Sequence, residues 1–288
     1  MMQSNLPGLL ISGASGQLGR CLQKGAANMP GFTFHFLGRE QLPIDNHLLT
    51  REVLHALKPV CVINAGAYTA VDKAESEQEI ANNANGYAVG NLAKYCNETG
   101  AKFIHVSTDY VFDGKAKKPY FETDITNPVN AYGASKLLGE TLALQENPRS
   151  IIIRTSWVYS SYGSNFVKTM LRLMNEKVLV RVVSDQFGSP TYAQDLADAI
   201  LTMAVAKVGL SGIYHFSNQG IISWYDFACA IRDLSGLNCK VEPITTAQFP
   251  TPAKRPEWSA MDCSKIKHEW NINLRPWRDA LQDALKTF

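Results

Sequence analysis

Within residues 107–136, three side chains could move a proton together. Tyr132 and Lys136 are four apart, and on a helix such residues lie one above the other, roughly 5–6 Å between Cβ atoms. A free phenol has a pKa of about 10 and is a poor acid at neutral pH. A neighbouring cation favours the phenolate and lowers that value. That brings a proton donor nearer the working pH, where general acid catalysis is most efficient. Upstream, Ser107 and Thr108 close an apolar run, and a hydroxyl there is placed to hydrogen-bond a substrate carbonyl. Strand alternation lets only one of them face the site. A Tyr–Lys pair at this spacing also arises by chance, so its meaning rests on the elements that position it.

Those elements alternate between apolar strands and amphipathic helices. The first strand, 9–12, runs straight into GASGQLG at 13–19 and then a helix pattern with Leu18, Cys21 and Leu22 on one face. Strand, glycine turn and helix is the context in which such glycines carry meaning. Gly13 permits the turn, Gly16 lets the backbone approach a pyrophosphate, and Gly19 lets helix and strand pack closely. The helix N-terminus offers free N–H groups and a positive dipole end to the phosphates. The second strand, 32–37, ends in Gly38-Arg39-Glu40. An acid about here would hold a ribose and an arginine a 2′-phosphate; Arg39 points to NADPH and Glu40 to NADH. The arginine is the first position after Gly38, which favours NADPH.

A helix pattern at 47–57 leads to a third strand, 60–64, followed by the small residues of Asn64-Ala-Gly-Ala-Tyr-Thr69. Such residues beyond a strand's C-terminal end let a flat cofactor lie close. A longer helix is expected over 85–98, a fourth strand over 103–106, the Tyr132 helix from Asn130, and a fifth strand over 151–157. This rhythm predicts an α/β fold: a doubly wound parallel Rossmann sheet with helices on both faces. The division expected is a dinucleotide-binding domain over 1–157 and a smaller α/β substrate lobe over 158–288, with the chain crossing between them. In the second part, helices are expected at 165–175, 195–206 and 224–234, and strands at 178–183 and 212–217. The loop 249–256 is stiffened by proline, and Arg255 in it could fork onto a diphosphate.

The chain has 288 residues, 45% hydrophobic and 19% charged, with a formal net charge of +2. That suits a globular enzyme with a sizeable core and gives no argument for nucleic acid or a membrane surface. No apolar run approaches the ~20 residues of a bilayer span, and the N-terminus lacks the basic start of a secretory signal, so a cytoplasmic location is expected. Six scattered cysteines and six histidines form no metal-ligand spacing. His105 and His215 read as satisfied core residues, Trp224-Tyr225 as helix packing, and Asp72, Glu75 and Glu77 as a solvated helix face.

The assembled motifs are GASGQLG (13–19), NAGAYTAVDKAE (64–75), STDYVFDG (107–114), NAYGASK (130–136), RTSWVY (154–159), NFVKTML (165–171), DQFGSPT (185–191), WYDFA (224–228) and PTPAKRP (250–256). With them the chain resembles the extended short-chain dehydrogenase/reductases, and within that superfamily the reductases of dTDP-deoxysugars. The resemblance covers nearly the full length. It implies NAD(P)H-dependent reduction of the C4 ketone of dTDP-4-dehydro-β-L-rhamnose. By it, Tyr132 is the proton donor, Lys136 lowers its pKa and holds the nicotinamide ribose, and Thr108 positions the carbonyl. Gly13, Gly16, Gln17 and Leu18 would border the pyrophosphate, and Ala67, Tyr68 and Thr69 would line the cofactor. Pro43-Ile44 would lie near the adenine, with the proline a departure from the acid found in relatives. Asp109, Trp157 and Arg255 would contact the sugar nucleotide. Carboxylates that bridge some relatives' dimers through magnesium are replaced by Cys21 and Gln194, so no metal is expected and the protein would be a monomer or homodimer. Two alternatives stand beside this reading: another sugar-nucleotide reductase or epimerase, and a non-catalytic subunit resembling the regulatory subunit of methionine adenosyltransferase.

Overall fold

The computed structural model describes residues 6–288. The first part of the chain runs β1 (Gly8–Ser12), α1 (Gln17–Ala26), β2 (Thr33–Leu37), α2 (His47–Leu57), β3 (Cys61–Asn64), α3 (Val71–Ala74), α4 (Gln78–Asn82), α5 (Ala88–Thr99), β4 (Lys102–Thr108), α6 (Ala131–Glu146) and β5 (Ile151–Thr155). It continues through β6 (Val158–Tyr159), α7 (Phe166–Glu176), β7 (Leu179–Val183), β8 (Phe187–Gly188), β9 (Thr191–Tyr192), α8 (Ala193–Val205) and β10 (Gly212–Phe216). Last come β11 (Ile222–Ser223), α9 (Trp224–Leu234), β12 (Lys240–Ile244), α10 (Ser264–Trp270) and α11 (Trp277–Leu285).

Six parallel strands form the main sheet in the order β2-β1-β3-β4-β5-β10. The doubly wound α/β architecture expected from the sequence is what the chain forms. Successive strand residues point to opposite faces, and here both faces are covered. Leu9, Ile11, Cys61, Ile63, Ile104, Ile151 and Ile153 pack with α1 and α8 on one side. Leu10, Val62, Phe103 and Ile152 pack with α5 on the other. Each such aliphatic side chain, fully withdrawn from water, contributes on the order of 1.5–3 kcal/mol before entropy is counted.

The order places the sheet's reversal between β1 and β3, where connections leave in opposite directions and open a crevice at the strands' carboxyl ends. After residue 158 the chain builds a second core around Tyr159, Val167, Met170, Val182, Phe227 and Leu281. Yet α8 and β10 return to the first layer. β10 pairs with β5, and Lys102 Nζ caps the C-terminal end of α8 through the carbonyls of Met203, Ala204 and Ala206. Among the described residues, no helix is long and apolar enough to cross a membrane.

Two expected elements differ. The helix expected over 85–98 is broken by a π-helical turn at Asn83–Tyr87, and α5 begins only at Ala88. The cause is the approach of α6: a Cβ on Gly139 would stand 2.0 Å from the Asn85 carbonyl oxygen. The fifth strand stops at Thr155 rather than 157, because Trp157 takes a left-handed backbone (φ 49°).

Beneath the crevice lies a buried ion pair between Glu140 of α6 and Arg154 of β5, 2.7 Å apart. Ser107 donates a further hydrogen bond to the same carboxylate. Removing one partner of such a pair strands the other charge in the interior, which costs about 3–5 kcal/mol. Glu140→Ala is therefore expected to lower the free energy of unfolding by about that amount in denaturant titrations, with Glu140→Leu/Arg154→Met recovering much of the loss. A single variant within 1 kcal/mol of the parent would contradict this account of the pair.

Candidate active site

The carboxyl ends of β1, β3, β4 and β5 open onto one cleft of about 760 Å³. Its floor is the turn into α1. Gly13 sits at φ 70°, and a Cβ there would press to 2.6 Å on the Gly66 nitrogen, so only glycine lets the two strand ends meet. The N-cap of α1 is Gly16, and no side chain caps it. The first N–H groups of the helix therefore face the cleft without a side-chain acceptor, the arrangement that binds phosphate. Gln17 lines the cleft and is fixed from across it: its Oε1 accepts from Ser160 Oγ and from Asn165 Nδ2 at 2.8 Å.

Tyr132, Lys136 and Thr108 meet in this cleft. α6 starts where Asn130 Oδ1 accepts from the Gly133 N–H, and the Asn130 amide donates to the Lys254 carbonyl. This cap aims Tyr132 and Lys136 at the sheet. Strand alternation resolves the two hydroxyls: Ser107 is committed to Glu140, whereas Thr108 lines the cleft with Tyr132 and donates to Asp109 Oδ1 at 3.0 Å. The expected electrostatics between Tyr132 and Lys136 do not hold here. Burial pushes the Tyr132 phenol up to about 12, and the neighbouring Thr108 hydroxyl only partly offsets this. The Lys136 amine is turned to the Val106 carbonyl at 2.7 Å and to His105 Nε2 at 3.2 Å. Burial brings it down to about 8, with Glu140 opposing the fall. Desolvation dominates both groups.

Of the other expected residues, Gly13, Gly16, Gln17, Leu18, Arg39, Ile44, Ala67, Tyr68, Thr69, Asp109 and Trp157 line the cleft. Gly19 and Pro43 do not. A Cβ on Gly19 would reach 2.3 Å from the Gly13 carbonyl oxygen, so its place is in helix–turn packing. The Pro43 carbonyl accepts from Thr50 Oγ1. Arg255 is not in the lining either; its guanidinium is engaged by both oxygens of Asp72 and by the Ala253 carbonyl.

That pairing corrects the reading of the acids on 72–77 as a solvated face. Asp72 holds Arg255, Glu75 accepts from the Ala131 N–H, and Glu77 accepts from the Tyr68 hydroxyl. His215 is not fully satisfied: its Nδ1 meets the Asp262 carbonyl, while its Nε2 has no partner. Trp224, read as helix packing, lines the cleft and stacks on Trp157 with ring centroids 3.5 Å apart. Asn85 was missed as well. Its side chain brackets the Tyr68 backbone, accepting from the N–H and donating to the carbonyl, and also donates to Ser135. The π-helical turn that aims it has no period legible in sequence. Among the described residues, no group of three or more His, Cys, Asp or Glu is placed to hold a metal.

Asp109 is 2% exposed, and its Oδ2 has no partner. Burial pushes its carboxyl up to about 6 despite the hydrogen bond from Thr108. A carboxyl raised on folding contributes stability that is present below its unfolded pKa and lost as pH rises through the folded one. The window here runs from about pH 4 to about 6. Across it the parent should lose on the order of 2–3 kcal/mol relative to Asp109→Asn. Denaturant unfolding of both proteins over that range measures the difference, and parallel curves would contradict the raised carboxyl.

Comparison with known proteins agrees with the geometry. Residues 8–288 match the family model described as the RmlD substrate binding domain. A dTDP-4-dehydrorhamnose reductase of Aggregatibacter actinomycetemcomitans is 43% identical over 285 residues, covering 96% of this chain and 97% of that protein. The crystal structure of a dTDP-4-dehydrorhamnose reductase from Clostridium acetobutylicum superposes with a TM-score of 0.94 at 40% identity, over 97% of this chain and 99% of that one. The reductase of Bacillus anthracis in complex with NADP gives 0.94 at 36% identity, over 98% and 100%. The chain belongs to the dTDP-4-dehydrorhamnose reductase family of the extended short-chain dehydrogenase/reductases.

Proposed function

We propose that this chain reduces the C4 ketone of dTDP-4-dehydro-β-L-rhamnose to dTDP-L-rhamnose with Tyr132 as proton donor. One observation carries the assignment of residues: Thr108, Tyr132 and Lys136 line the same cleft whose floor is the Gly13–Leu18 turn. A bound nicotinamide dinucleotide supplies the hydride. The uncapped start of α1 fits its pyrophosphate, and Ala67, Tyr68 and Thr69 line the wall of the cleft. Arg39 lines the cleft and Glu40 does not, which favours a 2′-phosphate and hence NADPH, with NADH as the weaker alternative. The Bacillus anthracis relative holds NADP.

Thr108 turns its hydroxyl from Asp109 to the ketone oxygen and orients the carbonyl. As that oxygen gains charge, Tyr132 gives it the phenolic proton. An alkoxide is far more basic than a phenolate, so a phenol near 12 still delivers its proton downhill. Lys136 holds the nicotinamide ribose and stays anchored to the Val106 carbonyl. Trp157, steadied by Trp224, offers a flat face to the sugar, and Asp109 a hydrogen-bonding edge. Arg255 reaches the diphosphate by exchanging Asp72 for phosphate oxygens. The protein works as a monomer or homodimer without a metal bridge: Gln194 donates to the Cys21 carbonyl and to Asp198, and burial pushes the Cys21 thiol up to about 12.

Tyr132→Phe is expected to lower turnover by roughly 10²–10⁴-fold while NADPH affinity, read by fluorescence titration, stays nearly intact. Unchanged kcat in that variant would sink the assignment. Arg39→Ala should weaken NADPH by about tenfold, the worth of one charge-assisted hydrogen bond, and leave NADH unaltered. Equal losses for both cofactors would remove Arg39 from the 2′-phosphate site.

A further inference from the structure

The segment between β6 and α7, residues 160–165, reaches the start of α1 from across the cleft. Gly163 and Ser164 line the same cleft as the Gly13–Leu18 turn. Asn165 is the N-cap of α7, and its Oδ1 accepts from the Lys168 N–H at 3.1 Å. A backbone N–H only donates, so the Asn165 amide nitrogen must face the other way. There it donates to the Ser160 carbonyl at 2.7 Å and to Gln17 Oε1 at 2.8 Å. The amide of Gln17 is thereby oriented too. Its oxygen also accepts from Ser160 Oγ at 3.2 Å, and its nitrogen is left to the Ser164 carbonyl at 3.4 Å. Further along α1, the Arg20 guanidinium lies over the Tyr162 ring, 5.6 Å from its centre.

These bonds use up the Gln17 side chain. What the residue keeps for a phosphate is its backbone N–H, the first of α1. The side chain therefore bridges the pyrophosphate end of the cleft instead of adding a contact to the dinucleotide. Gly163 belongs to the same fit. It sits at φ 62°, and a Cβ there would stand 2.9 Å from Gln17 Cγ, so any larger residue pushes the segment off Gln17. We propose that residues 160–165 are a strap closed over the dinucleotide pyrophosphate, with Gln17 and Asn165 as the positioning residues that latch it. A cofactor then enters and leaves only while the latch is open, as with other gating loops.

The latch is able to open. Gly163 and Ser164 are exposed, and each hydrogen bond shifts an equilibrium by only roughly two- to tenfold once water competes for its partners. Asn165 serves α7 through its oxygen and the latch through its nitrogen, so the strap can lift without uncapping the helix. A latch and a contact differ in their kinetics. Losing a contact to bound cofactor raises the dissociation rate alone. Losing a latch that closes the free and the loaded protein alike raises association and dissociation together and leaves the affinity nearly unchanged.

The inference rests on the turn into α1 being the dinucleotide site. Its test is stopped-flow fluorescence of NADPH and of NADH with the parent, Gly163→Ala and Gln17→Met. The methionine keeps the side chain's length and the backbone N–H but makes none of the bonds. Each variant is expected to raise both rates about fivefold or more, by the same factor for the two cofactors, because they carry the same pyrophosphate. A rise in dissociation alone would make Gln17 an ordinary cofactor contact and overturn the strap, as would rates unchanged in either folded variant. No NADPH binding by the parent would overturn the dinucleotide reading itself and the strap with it. Hydrogen exchange on the parent needs no substitution. NADPH is expected to slow exchange of the Tyr162 and Gly163 amides severalfold; exchange indifferent to the cofactor would overturn the closure even if neither variant folds.

Discussion

A single buried amine ties the helix that carries the proposed acid to the strand that carries its partner. Lys136 Nζ reaches from α6 to the Val106 carbonyl on β4 at 2.7 Å. Leaving either group unpaired in this interior would cost about 1–3 kcal/mol, more for a charge. The bond therefore fixes where α6 stands above the sheet. Tyr132, one turn before it, lines the cleft with Thr108. Glu140, one turn after it, meets Arg154 and Ser107. The stripe 132, 136, 140 is thus a row of three polar side chains, four residues apart, the last two bonded to the sheet and the first lining the cleft beside the end of β4.

The surrounding structure serves that row. The π-helical turn before α5 admits Gly139 of α6 at close range and aims Asn85 at the Tyr68 backbone. Asn130, the cap of α6, also holds the Lys254 carbonyl, and Asp72 holds Arg255 from the same loop. In this way the loop at 250–256 is fastened to the first layer beside the cleft. From the second core, Trp224 supports Trp157 at a backbone angle few residues adopt. Strained positions of this kind persist only where packing over-determines them, and here the stacked partner and the neighbouring Gly188 do so.

Much of this was legible in the sequence because local rules govern it. Buried parallel strands read as apolar runs, and glycines at 13, 16 and 19 carry meaning wherever a strand precedes and a helix follows. The four-residue spacing of Tyr132 and Lys136 placed both in one cleft. What escaped depended on long-range partners. Spacing puts Lys136 near Tyr132, but it cannot show that Val106 and His105 claim the amine, nor that desolvation dominates both groups. Asp72 and Glu75 look like solvent-facing acids until Arg255, 183 residues away, and the Ala131 N–H are brought to them. Trp224 opens a helix with an ordinary amphipathic pattern, and only the second core's placement turns it to the cleft.

The central claim is that burial keeps Tyr132 a phenol, ready to donate, and that Lys136 anchors it rather than driving it to phenolate. The direct measurement is the tyrosinate absorbance of the cofactor-free enzyme, titrated with base, minus that of Tyr132→Phe. The difference isolates one residue. Ionisation close to pH 12 is the result this account predicts; a phenolate forming near neutral pH would contradict it and return the lysine to the role of electrostatic driver.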